Sequence, residues 1–88
     1  MRTMRLDKFL KVSRMIKRRT LAKEVCDGGR VKINEKVAKA SSEVKAGDIL
    51  AIRFGQKIVT AKIERIADNV SKDMADTLFT IVKEEPVT

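Results

Sequence analysis

The apolar residues of this chain change their spacing once, at Gly28-Gly29, and that change limits what the chain can fold into. Before the glycines the repeat is helical. At about 100° per residue, Leu6, Phe9, Leu10, Val12 and Ile16 fall on one arc of a helix expected over residues 5–15. Lys8, Lys11 and Arg14 fall on the opposite arc, with Arg5 at its edge and Asp7 as the one counter-charge on that face. A basic turn, Lys17-Arg18-Arg19, leads to a second helix from about Thr20 to Asp27, with Leu21, Ala22, Val25 and Cys26 on one apolar side. Gly28-Gly29 supplies the left-handed backbone that ends a helix. After the glycines the repeat is that of strands. Val31 and Ile33 alternate with Arg30 and Lys32, and turns follow at Asn34-Glu35-Lys36 and Val44-Lys45-Ala46-Gly47-Asp48. Gly55-Gln56 joins strands expected over 49–54 and 57–66, with glycine first as a two-residue II′ turn requires. A polar connection over 68–76, with a helical turn near 72–75, leads to a last strand over 78–82 and a frayed, flexible tail over 84–88. The expected fold is α+β: a basic helical hairpin packed on a small, mostly antiparallel β-sheet.

A chain of 88 residues makes one domain and leaves little core for a closed catalytic cavity. It has no His, Trp or Tyr and one Cys, Cys26. A Cys/His zinc site lacks its ligands, and a Ser-His or Cys-His nucleophile lacks its base. The chain is therefore expected to be no enzyme and to carry no metal and no cofactor. Cys26 cannot form an internal disulfide, which suits a reducing, cytoplasmic setting, and it reads as a small buried hydrophobe. No apolar run approaches the roughly 20 residues that span a bilayer, and no apolar h-region follows the basic N-terminus. Membrane attachment is not expected.

The charge is uneven. Residues 1–32 hold eleven basic and three acidic residues, whereas residues 33–88 hold nine of each, so the whole +8 excess lies on the first third. Solubility alone does not require such asymmetry, and a polyanion partner does. Phe9, Phe54 and Phe79 sit in apolar patterns, so no exposed aromatic platform is available for stacking single-stranded bases. Binding then rests on Arg and Lys contacts to phosphates and on shape. Folded RNA fits this better than DNA, because the second helix offers only Lys23, Glu24 and Asp27 outward for reading base edges. The candidate RNA-binding residues are Arg5, Lys8, Arg14, Lys17, Arg18 and Arg19. Arg14 is equally suited to covering apolar surface with its stem. Arg5 and Arg19 are expected to project outward, with partners outside the protein.

Four motifs occur in one order: Arg5-Leu6-Asp7-Lys8-Phe9-Leu10, Lys17-Arg18-Arg19-Thr20-Leu21-Ala22, Gly29-Arg30-Val31-Lys32-Ile33-Asn34, and Val44-Lys45-Ala46-Gly47-Asp48. Together they resemble the S-four-type RNA-binding domain. The resemblance covers about residues 5–54 of a single domain spanning 1–88, with additional strands at about 55–83. Within that family the chain is most similar to the small stand-alone factors of bacterial ribosome-associated quality control. That likeness implies a monomer bound to large ribosomal subunit rRNA and peptidyl-tRNA, supporting alanine tailing of a stalled nascent chain by a NEMF-type tailing factor. A general rRNA- or tRNA-binding protein of ribosome assembly or translation is the alternative it implies. Position by position the likeness singles out Arg5 and Arg19. Arg2 lies in a short extension before the family's usual start. Two positions depart from the family pattern. Arg18 stands where many members have a capping Ser or Thr, which leaves the second helix to be capped by Thr20 or water. Glu35 stands where a Gly often follows the Asn, which disfavours a type I′ turn.

Overall fold

The computed structural model describes residues 2–68 and 70–87. A two-residue strand β1 (Met4–Arg5) runs into helix α1 (Leu6–Val12), and helix α2 (Arg19–Asp27) packs against it. Strands β2 (Val31–Ile33), β3 (Lys36–Val37), β4 (Glu43–Val44), β5 (Ile49–Phe54) and β6 (Lys57–Ile63) follow. A 3-10 helix at Lys72–Leu78 and strand β7 (Phe79–Pro86) complete the described elements. The strands form a five-stranded sheet in the order β3-β2-β5-β6-β7 and a separate β1-β4 ladder, and each described pairing is antiparallel. The fold class is α+β, as the change of period indicates.

The core lies between the helical hairpin and one face of the sheet. Leu6, Phe9, Leu10, Ala22 and Cys26 from the helices meet Val31, Leu50, Ile52 and Ile63 from the sheet, all buried. Leu21, expected on the apolar side of the second helix, is 48% exposed; the buried stripe is narrower and consists of Ala22 and Cys26 with Val25 at its edge.

The first helix is shorter than its periodicity suggests. It stops at Val12 because Arg14 takes the left-handed region (φ 62°) and Ile16 folds back, its N–H donating to the Leu10 carbonyl at 3.1 Å. Its opening N–H groups are satisfied without a capping side chain. Leu6 N–H donates to Ser42 O at 2.7 Å and Asp7 N–H to Ala40 O at 3.3 Å, so the 40–42 loop acts as a backbone cap. At α2, Arg18 is the N-cap residue and no side chain caps the helix, Thr20 included.

Turns carry the register. Of the two glycines after α2, Gly29 alone takes the left-handed conformation (φ 76°). Asn34 and Glu35 both have positive φ (50° and 72°), and Ile33 pairs with Lys36, so the turn has I′ geometry despite the glutamate. Asn34 secures it: its amide donates to Asp48 Oδ1 at 3.1 Å and its carbonyl accepts from Ile49 N–H at 2.9 Å. Asp48 Oδ2 accepts from Lys45 N–H at 3.0 Å, so two of the sequence motifs lock one another across β2 and β5. The β6 strand ends at Ile63. The last strand begins at Phe79 and continues through Pro86, which corrects the expected tail over 84–88: Glu84 pairs with Val59 and Glu85 with Ile58, while Thr88 lies outside the described residues. A bulge between Ile81 and Lys83 leaves Val82 unpaired and exposed.

Cys26 is 1% exposed, and burial pushes its thiol up to about 12, with Asp7 and Asp27 adding to the effect. Cys26→Ala should leave a small cavity that destabilises the domain by about 1 kcal/mol, read by thermal unfolding. The native thiol should resist a bulky alkylating reagent until the chain unfolds. Rapid native labelling would contradict this packing.

Candidate nucleic-acid interface

The helix-to-helix turn is fastened to the end of α1 by its own residues. Ser13 is buried and donates its hydroxyl to Leu10 O at 3.3 Å, and Ile16 is anchored in the core. Lys17, Arg18 and Arg19 follow at once, and Arg18 is extended (φ −122°, ψ 132°). Lys17 and Arg18 are exposed and make no ion pair among the described residues.

Arg5 and Arg19 are placed differently. Between them lies Asp7, whose side chain is 3% exposed while theirs are 50% and 52% exposed. Arg5 grips the carboxylate with a fork, Nε to Oδ1 and Nη2 to Oδ2, both at 3.2 Å. Arg19 Nε stands 3.6 Å from Oδ2, and the Lys8 backbone N–H donates to Oδ1 at 2.8 Å. Burial acts to raise the Asp7 pKa. The Arg5 hydrogen bond, the Lys8 N–H and the Arg19 and Arg5 charges outweigh it and hold the carboxyl below its ordinary value. The expectation that both arginines have partners only outside the chain is therefore corrected. One buried anion holds two guanidinium groups side by side, each half open to solvent, with a net charge of +1 for the three. A planar fork held by its inner edge keeps outward N–H groups for a phosphate.

Lys8 belongs to another edge. Its Nζ lies 3.4 Å from Asp68 Oδ1, and Arg2 Nη2 donates to Asp68 Oδ2 at 2.9 Å. The Arg2 hydrogen bond, then that of Lys8, lowers the Asp68 pKa. Both pairs are solvent-exposed, and such contacts yield readily to a stronger anion. Arg14, past the end of α1, is exposed and lines a shallow depression with Lys11, Val12, Asp68 and Val70. The six candidates thus divide into Arg5 with Arg19 at Asp7, Lys8 and Arg14 toward residue 68, and Lys17 with Arg18 on the turn. Asp7 and Asp68 were not among the candidate site residues. Asp7 was visible as the one acid on a basic helix face; nothing local marks Asp68, 60 residues from the lysine it meets. Among the described residues no cluster of His, Cys, Asp or Glu could hold a metal ion, and no helix is long and apolar enough to cross a membrane.

The S4 domain profile matches residues 4–50 of the chain, from β1 to the start of β5. The RQC P-site tRNA stabilizing factor of Halalkalibacterium halodurans is 61% identical over 85 residues, covering 97% of each chain. The protein of that name from Bacillus subtilis is 62% identical over 82 residues, covering 93% of this chain and 95% of the other. The trimeric structure of Vibrio cholerae Heat Shock Protein 15 superposes with a TM-score of 0.84 at 34% identity, covering 92% of this chain and 83% of the other.

Asp7→Asn should cost about 2 kcal/mol, the scale of a hydrogen bond to a charged group, or roughly a 10 °C fall in Tm for a domain of this size. Since folding lowers the Asp7 pKa, its contribution is complete above the ordinary aspartate value of about 4 and is lost as pH falls through the depressed one. Melts between pH 7 and pH 2 should converge for the two proteins at the acid end; a constant gap would contradict the ionised role.

Proposed function

The chain belongs to the S4 domain family, and from that membership we propose that it is a non-catalytic RNA-binding factor of ribosome-associated quality control. In this reading it holds transfer RNA on the large ribosomal subunit through Arg5, Arg19, Lys17 and Arg18, with Lys8 and Arg14 at the margin. The observation that carries it is the Asp7 centre: a buried carboxylate takes two hydrogen bonds from the Arg5 fork and lies 3.6 Å from Arg19 Nε, and both guanidinium groups are half open outward. A surface tuned for solubility does not require two guanidinium groups gathered at one buried carboxylate. The relatives' names, which speak of a P-site tRNA, supply the substrate class.

The finer parts of the reading go together. The protein acts as a monomer in the cytoplasm, touches large-subunit rRNA as well as peptidyl-tRNA, and supports alanine tailing of the stalled chain by a NEMF-type factor. The family resemblance and the single basic domain support them. The mechanism needs no chemistry. Multiple phosphate contacts on a rigid turn release counterions and hold a bound RNA in one orientation, which is what positioning a tRNA requires.

Arg5→Ala and Arg19→Ala should each weaken association with purified large subunits carrying peptidyl-tRNA by roughly tenfold, about 1–3 kcal/mol for a charge-assisted contact. Arg→Lys should rescue only partly, since a point charge lacks the fork. Lys62→Ala, on the sheet, should do much less. Pelleting alongside thermal melts separates contact from folding. Wild-type pelleting by both alanine variants would overturn the site, and equal binding to subunits without tRNA would favour a role in assembly.

A further inference from the structure

The fold gathers a second group of cations that the charge count of the first third does not describe. β2 and β5 are neighbours in register, with Val31 opposite Ile52 and Lys32 opposite Ala51. Val31 and Ile52 are buried against the helical hairpin. Side chains alternate along a strand, so Arg30 and Lys32, which flank Val31, and Arg53, which follows Ile52, point to the other face. Arg53 N–H donates to Arg30 O at 2.9 Å, which sets those two residues side by side, with Lys32 one pleat along. Gly28, Gly29, Ala51 and Ile58 line a groove with the three cations, and no acidic side chain lines it.

All three cations are exposed, and none makes an ion pair among the described residues. Lys57 and Lys83 on β6 and β7 differ, since Lys57 meets Glu84 at 3.6 Å and Lys83 meets Glu85 at 3.2 Å; Lys36 and Lys62 are single exposed cations elsewhere on the sheet. Arg53 comes from the stretch of the sequence that is neutral overall. Its arrival beside Arg30 and Lys32 is a product of strand order alone.

We propose that the outer sheet face at Arg30, Lys32 and Arg53 is a second binding surface for an RNA sugar-phosphate backbone, on the far side of the sheet from the Asp7 centre. The proposal rests on the RNA-binding reading above and deepens it. Three unpaired cations with no acid among them supply attraction for phosphates, and Gly28, Gly29 and Ala51 in the lining, beside Ile58, let a backbone approach closely. Without an aromatic side chain lining it, the groove holds backbone and does not stack bases. With a cationic surface on each face, one molecule holds two RNA segments at once.

The test uses the full chain and transfer RNA as probe. Biotinylated tRNA on beads captures the protein, and fluorescent tRNA is then offered in solution. Wild-type protein should retain the first RNA and capture the second. Arg30→Ala/Lys32→Ala/Arg53→Ala should retain the first RNA within about threefold and lose capture of the second at least fivefold, with the log-affinity against log-salt slope of the wild type reduced by about 2–3. Lys45→Ala/Lys62→Ala/Lys72→Ala removes equal charge from other places and should capture the second RNA as the wild type does. Thermal melts confirm that each variant is folded. Undiminished capture by the sheet variant, or equal loss by the control, would overturn the proposal. A wild-type protein that holds one RNA and never a second would overturn it too, while leaving the hairpin site intact. A wild-type protein that holds none would overturn the RNA-binding reading itself.

Discussion

A buried carboxylate between two half-exposed guanidinium groups organises this small protein. Asp7 sits in the first turn of α1, where a negative charge is favoured by the helix dipole. Its oxygens accept from Arg5, which precedes the helix, and from the Lys8 backbone, with Arg19, which begins the next helix, close by. It therefore ties three points of the chain together at the place where the basic turn emerges. A domain of this size has a thin stability margin, and a cluster of cations would repel itself if left alone. Placing one anion inside the cluster relieves that repulsion and leaves the outer edges of the arginines available. In the proposed function, stability and binding are thus served by the same residue.

The same economy governs the loops. The 40–42 segment caps α1 with its carbonyls, and Asp27 accepts from Ala40 N–H at 3.1 Å to hold that segment against α2. Asn34 and Asp48 join the first turn of the sheet to the strand it pairs with. Each motif of the resemblance thereby serves as a fastening between elements distant in sequence. A short chain with a small core is fastened in this way by polar side chains at its turns. No buried side-chain polar atom among the described residues lacks a partner.

Local periodicity made the architecture legible. The arc of the first helix, the glycine stop, the Gly55 hairpin and the buried Cys26 follow from spacing and turn chemistry, whereas Leu21 of the second helix's arc is exposed; Gly55 has the positive φ (56°) its turn requires. The length of α1 was not legible, because Arg14 has no sequence mark for the left-handed region and the burial of Ile16 is a tertiary effect. The I′ turn at Asn34-Glu35 was hidden for a similar reason: the Asp48 contact, 14 residues on, offsets the unfavourable glutamate. Strand β7 runs past its apolar stretch because β6 offers backbone partners as far as Lys57. At the site, the six basic candidates were visible as charge, but their division into three groups was not. That division depends on Asp7 and Asp68, and a count of cations cannot show which acid each one meets.

The role of Asp7 gives a prediction opposite in sign to simple charge counting, and RNA affinity is the direct measure of it. Removing a negative charge from a phosphate-binding surface should by itself tighten binding. If Asp7 holds the arginine forks in place, Asp7→Asn should instead weaken tRNA binding several-fold in a protein that remains folded at the assay temperature. Arg19→Ala should then cost less in the Asp7→Asn background than in the wild type, since the two changes damage one arrangement. Tighter or unchanged binding by Asp7→Asn, with additive effects of the two substitutions, would contradict the account.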